Sequence, residues 1–245
     1  MDLLYVVGTG SKYNNDELKY SLRSVEKNCT GYDRIFIVGY KPDFLNDNVI
    51  HIPCNDRSDV YKHWNMLNKI KVSVDTTDIS DNFVLQSDDH FYCKPYDFNK
   101  IQIYHRSEII REVPKLCSNP RFKTAMVETR KLLEKHNLPT IQTSAHCGTW
   151  FNKTIFKSIE DTLIKEALEN YWGCEPTCLV EAVMQKELGI KPVPRKDVKI
   201  NKDASIEAAL LRIGDNFCFS VNDRGFQLML PYLQQKFPNK SKYEK

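Results

Sequence analysis

No apolar run in the 245-residue sequence approaches the roughly 20 residues that a membrane-spanning helix needs. No secretory leader is expected either. Asp2 stands where a basic start is required, and the apolar stretch 3–7 is too short for a leader's hydrophobic region. The expected setting is cytoplasmic, without membrane insertion. Glycine is scarce, at nine residues, and Gly8-Thr9-Gly10-Ser11 lacks the spacing of a Rossmann G-x-G-x-x-G fingerprint. Cysteines 29, 54, 93, 117, 147, 174, 178 and 218 are scattered, with no paired C-x-x-C. Cys174-x-x-x-Cys178, even with His146-Cys147 nearby, does not match structural zinc spacing. A chain of this length without a secretory signal needs no disulfides, so free thiols are expected. An excess of one charge is absent too: 35 basic against 32 acidic residues give +3, too little for a dedicated nucleic-acid binder. A polyanionic partner is permitted, not demanded. No repeat or low-complexity segment interrupts the chain.

What is present is a composition of 41% hydrophobic and 27% charged residues, enough for one sizeable core and unlike disorder, collagen or coiled coil. The apolar run 3–7 reads as a buried strand that enters a tight loop at Gly8. Asn14 or Asn15 is expected to cap a helix with Asp16 and Glu17 in its first turn, where the helix dipole favours negative charge. Leu18, Leu22 and Val25 give that helix its apolar face. Strands follow at 34–38, 49–52 and 82–86, with a helix over 60–74. Such alternation predicts an α/β sandwich with a mostly parallel sheet, in which ligands gather at the carboxyl ends of the strands. Beyond residue 95 the pattern predicts helices over 122–136, 155–171, 177–188 and 225–237 and a short strand at 217–221. The reading is a single domain, 1–245: a nucleotide-binding half, 1–95, and a largely helical acceptor-side half, 96–245. The tail 239–245 is expected to be loose.

Ser87-Asp88-Asp89-His90 carries the most chemistry. Adjacent carboxylates at a strand end repel each other and resist desolvation. A divalent cation relieves both penalties, and oxygen-rich sites of this kind suit Mg²⁺ or Mn²⁺ completed by water and substrate phosphates. If the strand persists, Asp88 and His90 share one face and Asp89 the other, giving an Asp-x-His metal chelate. The same residues also suit a polar turn. Gly8, Thr9, Gly10 and Ser11 offer backbone that a phosphate or base can approach, or an ordinary turn. Asn222-Asp223-Arg224 places an acid and a guanidinium at a strand end, where Arg224 can neutralise a phosphate; the alternative is a helix cap. His146, in a polar loop, is a candidate base because imidazole titrates near neutrality, though a lone histidine is more often structural. Arg23, on a stripe with Lys19 and Lys27, reaches a phosphate or lies on a solvated face. Lys186, Lys191, Arg195, Lys196, Lys199 and Lys202 form a basic stretch that suits an anionic acceptor or a surface loop equally.

Three separated stretches resemble the Stealth family. Residues 14–27, NNDELKYSLRSVEK, are similar to its N-D-E-L-R-Y-S-L-R-S-I-E-K block and lead likewise into a strand. Residues 83–91, FVLQSDDHF, resemble F-[IL]-Y-x-N-D-D-x-F. Residues 217–223, FCFSVND, and 237–245, FPNKSKYEK, resemble its closing N-D and F-P-x-x-S-x-[FY]-E blocks. The sequence departs from the family pattern at Tyr5-Val6-Val7-Gly8-Thr9-Gly10, where the opening tryptophan and acid are missing, at Ser87 in place of Asn, and at His146-Cys147-Gly148 in place of H-x-P.

The resemblance implies a GT-A-like nucleotide-diphospho-sugar fold and a divalent cation at the Asp-Asp block. It also raises Asp223 to a site residue and matches His146 to the family's internal histidine. The compact chain looks like stand-alone phage and bacterial members usually labelled glycosyltransferase. The expected activity is metal-dependent glycosyl transfer from a nucleotide sugar, UDP-linked, to a glycan or a hydroxymethylated DNA base. The alternative is Stealth-type hexose-1-phosphate transfer to a capsular or surface polysaccharide; the contrasting class is a non-catalytic binding module. Asp88, Asp89 and His90 would hold the metal. Asp89, His146 and Asp223 would be catalytic. Gly8, Thr9, Gly10, Ser11, Arg23 and Arg224 would bind the donor.

Overall fold

A computed structural model of the chain describes residues 1–106, 109–110, 112–116, 119–143 and 145–245. Cys117, cited above, lies outside the described residues. The first part of the chain forms β1 (Asp2–Val7), α1 (Asp16–Asn28), β2 (Cys29–Thr30), β3 (Ile35–Gly39), β4 (Ile50–Ile52), α2 (Lys62–Thr76), β5 (Asn82–Ser87) and β6 (His90–Tyr92). Then follow β7 (Tyr96–Asp97), β8 (Tyr104–His105), α3 (Val113–Leu116), α4 (Pro120–Lys135), β9 (Thr149–Asn152), α5 (Lys153–Ser158), α6 (Lys165–Glu169) and α7 (Pro176–Leu188). The chain closes with β10 (Val193–Pro194), β11 (Lys199–Ile200), α8 (Ile206–Ile213), β12 (Cys218–Val221) and α9 (Asp223–Lys236).

The central sheet runs β4-β3-β1-β5-β9, with the first four strands parallel and β9 antiparallel to β5. Leu3, Leu4, Tyr5 and Val7 of β1 are buried, and Ile35, Phe36, Ile37 and Val38 of β3 likewise. Such continuous apolar runs suit strands covered on both faces. Alternation along β1 splits the core: Leu4 packs with α2, α4 and α7, whereas Leu3, Tyr5 and Val7 pack with α1. A third apolar cluster joins Phe91, Phe219 and Phe226 beside a small sheet, β11-β12-β6. The 1–95 and 96–245 halves interleave, since β9 completes the central sheet and β12 pairs with β6.

Gly39 shows why the end of β3 tolerates no side chain. Its φ is +107°, and a Cβ there would lie 2.1 Å from the Val7 carbonyl oxygen. The expected helix over 155–171 is divided: α5 and α6 flank a π-type turn at Glu160–Ile164. Leu163, Ile164 and Ala167 nevertheless all reach the core, so packing keeps the direction that the hydrophobic spacing set. The start of α1 also differs from expectation. Asn14 and Asn15 adopt left-handed φ values of 53° and 61°, and the Asn15 side chain caps nothing. Asparagine tolerates that conformation. Ser11 Oγ organises the turn instead, accepting from the amides of Tyr13 and Asn15 and donating to Glu17.

The tail 239–245 is docked, contrary to the expectation of a loose end. Lys245 donates its amide to the Phe44 carbonyl at 2.8 Å. Tyr243 is buried. Arg23 forms a two-point pair with Glu244, Nε to Oε1 at 2.7 Å and Nη2 to Oε2 at 2.6 Å, with little side-chain exposure on either partner. Its Nη1 donates to the Phe237 carbonyl. Arg23 is thus a tail clamp, engaged away from both site cavities described below. Arg23→Ala strands a shielded carboxylate and is expected to cost about 3 kcal/mol. Urea denaturation would read this as a lowered midpoint; an unchanged midpoint would contradict the clamp.

Candidate functional site

The carboxyl ends of β1 and β5 open on a cavity of about 640 Å³. Gly8, Thr9 and Gly10 line one side of it, and Ser87, Asp88, Asp89 and His90 another. Asp56, His146 and Lys199 complete this part of the wall. Parallel pairing aligns Val6 of β1 with Ser87 of β5, so the two loops leave the sheet side by side. A smaller cavity of about 260 Å³ adjoins, lined by Gly8, Gly10, Ser11, Glu17, Asp88, Asp89 and Asp223. The sequence candidates Gly8, Thr9, Gly10, Ser11, Asp88, Asp89, His90, His146 and Asp223 therefore converge on two adjoining cavities. Arg23 and Arg224 do not: the first is held by the tail, and the second is exposed and lines neither cavity.

The strand does not persist through the acidic motif. Asp88 and Asp89 form a turn between β5 and β6, and His90 begins the new strand. The expected Asp-x-His face is thereby lost. The His90 ring is buried, its Nδ1 accepting from the Ser87 amide at 3.4 Å and its Nε2 standing 3.8 Å from Asp89. Burial lowers the His90 pKa to about 4, so the ring is neutral and braces the turn. Among the described residues, no three His, Cys, Asp or Glu side chains form a ready-made metal cage.

The two carboxylates differ. Burial first, then Asp89 and Glu17, push Asp88 up to about 7. Burial also acts upward on Asp89, but Lys199, His90 and His146 outweigh it and hold that group below its ordinary value. Lys199 Nζ stands 3.5 Å from Asp89 Oδ2. One acid at this turn is therefore ionised and the other poised to gain or lose a proton near neutrality. Glu17 is raised as well, chiefly by burial.

His146 is fixed by residues that are distant in sequence. Its amide donates to Asp197 Oδ1 at 2.7 Å, and its Nδ1 contacts Asp197 Oδ2. Arg106 Nη2 pairs with the same Asp197 oxygen at 2.5 Å and lies 2.6 Å from the imidazole Nδ1. Burial acts upward on Asp197, but the bonds from His146 and the charge of Arg106 carry it well below the usual carboxylate range. Burial lowers the His146 pKa despite this partner. A neutral ring whose Nδ1–H donates to Asp197 leaves Nε2 as the acceptor.

Asp223 opens α9 behind Asn222, whose side chain caps the helix by accepting from the Gly225 amide at 2.8 Å. The helix-cap reading of this motif is correct for Asn222. Asp223 pairs with exposed Lys12 at 2.7 Å.

Asp197, Arg106, Lys199, Lys69 and Asp56 were not singled out for these roles by sequence reading. Lys69 is buried, donates from Nζ to the Val7 carbonyl at 2.9 Å and pairs with Asp56 at 2.6 Å, beneath the Gly8 turn. Its one sequence signal is a lysine between Leu67 and Ile70 on the buried face of α2. Asp197 offers none, because its partners arrive through tertiary folding alone. In the basic stretch, Arg195 is buried, stacked 4.6 Å from the Phe217 ring centroid and bonded to the Cys218 carbonyl. Lys199 faces the cavity.

Among the described residues, no helix is long and apolar enough to cross a membrane. No family model matches the chain, and no curated protein matches it. Among solved structures, the apo form of mouse Xyloside xylosyltransferase 1 is similar at 6% sequence identity and a TM-score of 0.39, over 100% of this chain and 96% of that one. A likeness of that depth carries no functional argument.

Proposed function

We propose that the protein is a glycosyltransferase with a GT-A-like fold, moving a sugar from a nucleoside-diphosphate sugar, UDP-linked, to an acceptor hydroxyl. The observation that carries this reading is the acidic pair Asp88–Asp89 facing Gly8, Thr9 and Gly10 across one cavity at the carboxyl ends of parallel strands. Open sheets bind nucleotides at this position. The Stealth-like blocks of the sequence point the same way.

The donor set fits a hard divalent ion of the kind that takes one or two carboxylates and fills its remaining positions with water and phosphate oxygens. The burial, and after it the repulsion from Asp89 and Glu17, that lift Asp88 to about 7 are what such an ion would offset. Asp88 and Asp89 would hold it; buried His90 does not fit as a ligand. When bound, Mg²⁺ or Mn²⁺ would neutralise charge on the leaving diphosphate.

The chain's own residues do the rest. Gly8, Thr9 and Gly10 seat the nucleotide against the backbone. Lys199 adds positive charge beside the diphosphate. His146 Nε2 takes the acceptor proton as the acceptor oxygen bonds to the anomeric carbon. The bond from that carbon to the diphosphate breaks, and the nucleoside diphosphate leaves. His146 is preferred to Asp223 as the base because Asp197 fixes its tautomer, whereas Asp223 is held by Lys12.

A saccharide acceptor is favoured over duplex DNA, because Arg195 is folded into the core and Lys199 into the site, which thins the basic stretch. The test is incubation with a panel of nucleotide sugars and Mn²⁺ or Mg²⁺, with identification of the by-product. Released UDP supports glycosyl transfer; released UMP indicates hexose-1-phosphate transfer; no release with any donor refutes both. Mass spectrometry of saccharides and hydroxymethylated DNA after incubation identifies the acceptor.

A further inference from the structure

The far wall of the 640 Å³ cavity carries a second polar group that the proposed chemistry leaves unused. His63, in the first turn of α2, and Glu175 and Thr177, at the start of α7, line the cavity together with Phe122 of α4. His63 is 2% exposed and Glu175 5%. His63 Nε2 stands 3.3 Å from Glu175 Oε2, and Thr177 Oγ1 donates to Glu175 Oε1 at 3.2 Å. Burial lowers the His63 pKa against the pull of Glu175. A neutral ring that donates from Nε2 to the carboxylate has an acceptor left at Nδ1, and that atom has no partner among the described residues. Leaving a buried polar atom unmatched is costly, and such atoms are rare. The carboxylate, with room for about four hydrogen bonds, also has acceptor capacity to spare. The Phe122 ring stands edge-on to the imidazole, centroids 6.0 Å apart, and adds an apolar surface to the same wall.

Acceptor-rich groups beside an aromatic ring suit a ligand that brings several O–H donors on a partly apolar ring. A phosphate would bring only acceptors and negative charge against Glu175. We propose that His63, Glu175 and Thr177 form a subsite for the hydroxyls of a saccharide ring. This rests on the glycosyl-transfer reading for its biological role. The ring belongs either to the transferred sugar of the donor or to the acceptor, and binding experiments separate the two.

The experiment titrates wild type and Glu175→Gln, which keeps the side chain's shape, with UDP, UDP-glucose and a panel of free mono- and disaccharides, following ligand-observed NMR and calorimetry. Thr177→Val is a second, milder variant, and thermal melts confirm folding. UDP affinity should be unchanged in both. If the wall reads the donor sugar, UDP-glucose binds about ten- to a hundredfold more weakly to Glu175→Gln, as expected for loss of hydrogen bonds to a charged acceptor. If it reads the acceptor, UDP-glucose binding is also unchanged, and a free saccharide bound by wild type loses its signal in the variant. Equal affinity of wild type and both folded variants for UDP-glucose and every saccharide overturns the subsite. So does a wild type that binds UDP but no sugar, free or donor-linked. A protein that binds saccharides through this wall but never UDP overturns the transferase reading and leaves the subsite standing.

Discussion

Asp89→Ala is expected to lower metal-dependent turnover of UDP-glucose by at least about a hundredfold, the scale seen when one preorganised electrostatic group is removed from an active site. UDP-glucose affinity in the presence of Mn²⁺ should fall with it. The reason lies in the asymmetry of the pair: against the upward push of burial, the Lys199 charge beside it helps keep Asp89 below its ordinary value, so this carboxyl is ionised at neutral pH. Asp88 complements the test through stability. Its carboxyl is raised to about 7 in the folded chain, so the native state binds a proton between the ordinary value and 7 that the unfolded chain has released. Its contribution is therefore present below about pH 4 and is lost as pH rises through 7. Asp88→Asn should then stabilise the metal-free protein at pH 8, by about 2 kcal/mol, while it impairs metal-dependent activity. A gain in melting temperature coupled to lost activity is the signature of a group kept for function. Retained turnover in Asp89→Ala would end the proposed mechanism, and a destabilised Asp88→Asn would mean that the acidic turn serves the fold.

Asp197→Asn is expected to lower the rate by about 10²- to 10⁴-fold, the usual contribution of a general base. Asparagine no longer holds the His146 tautomer and no longer favours imidazolium. The His146 pKa, already lowered by burial, falls further, so the acidic limb of the pH–rate profile moves to lower pH while the plateau drops. A merely structural role would lower the plateau without moving the limb. Stability changes in the opposite sense from Asp88. The folded Asp197 pKa is depressed, so its contribution is present above the unfolded value and is lost as pH falls toward the folded one. The variant should lose that part of the wild-type acid sensitivity and be less stable at pH 7, because Arg106 is left without its carboxylate. Denaturation midpoints at pH 3 and pH 7 measure both effects.

Much of this site is legible in the chain because its loops follow strands. Apolar runs over β1, β3 and β5, separated by a helix with apolar spacing, already order a parallel sheet, and the carboxyl-end rule then places Gly8 and Asp88 near one another. The acidic pair itself is two adjacent letters. His90 misled for a local reason: Asp88 and Asp89 form a turn after β5, so strand alternation does not carry through to His90, which begins a new strand. Arg23 misled for a distant one. Its stripe on α1 predicts a solvated face or a phosphate contact, but the tail returns more than 200 residues later to meet it.

The sequence by itself determined the α/β class, the strands that carry the site, and the acidic and glycine loops at their ends, since each follows from hydrophobic periodicity and turn chemistry within a few residues. Only the tertiary structure decided the charge states and partners. Asp197 reaches His146 across 51 residues, Lys199 reaches Asp89 across 110, and Glu175 reaches His63 from another helix. Burial and Coulomb interactions depend on distance in space, and no local pattern along the chain encodes that distance.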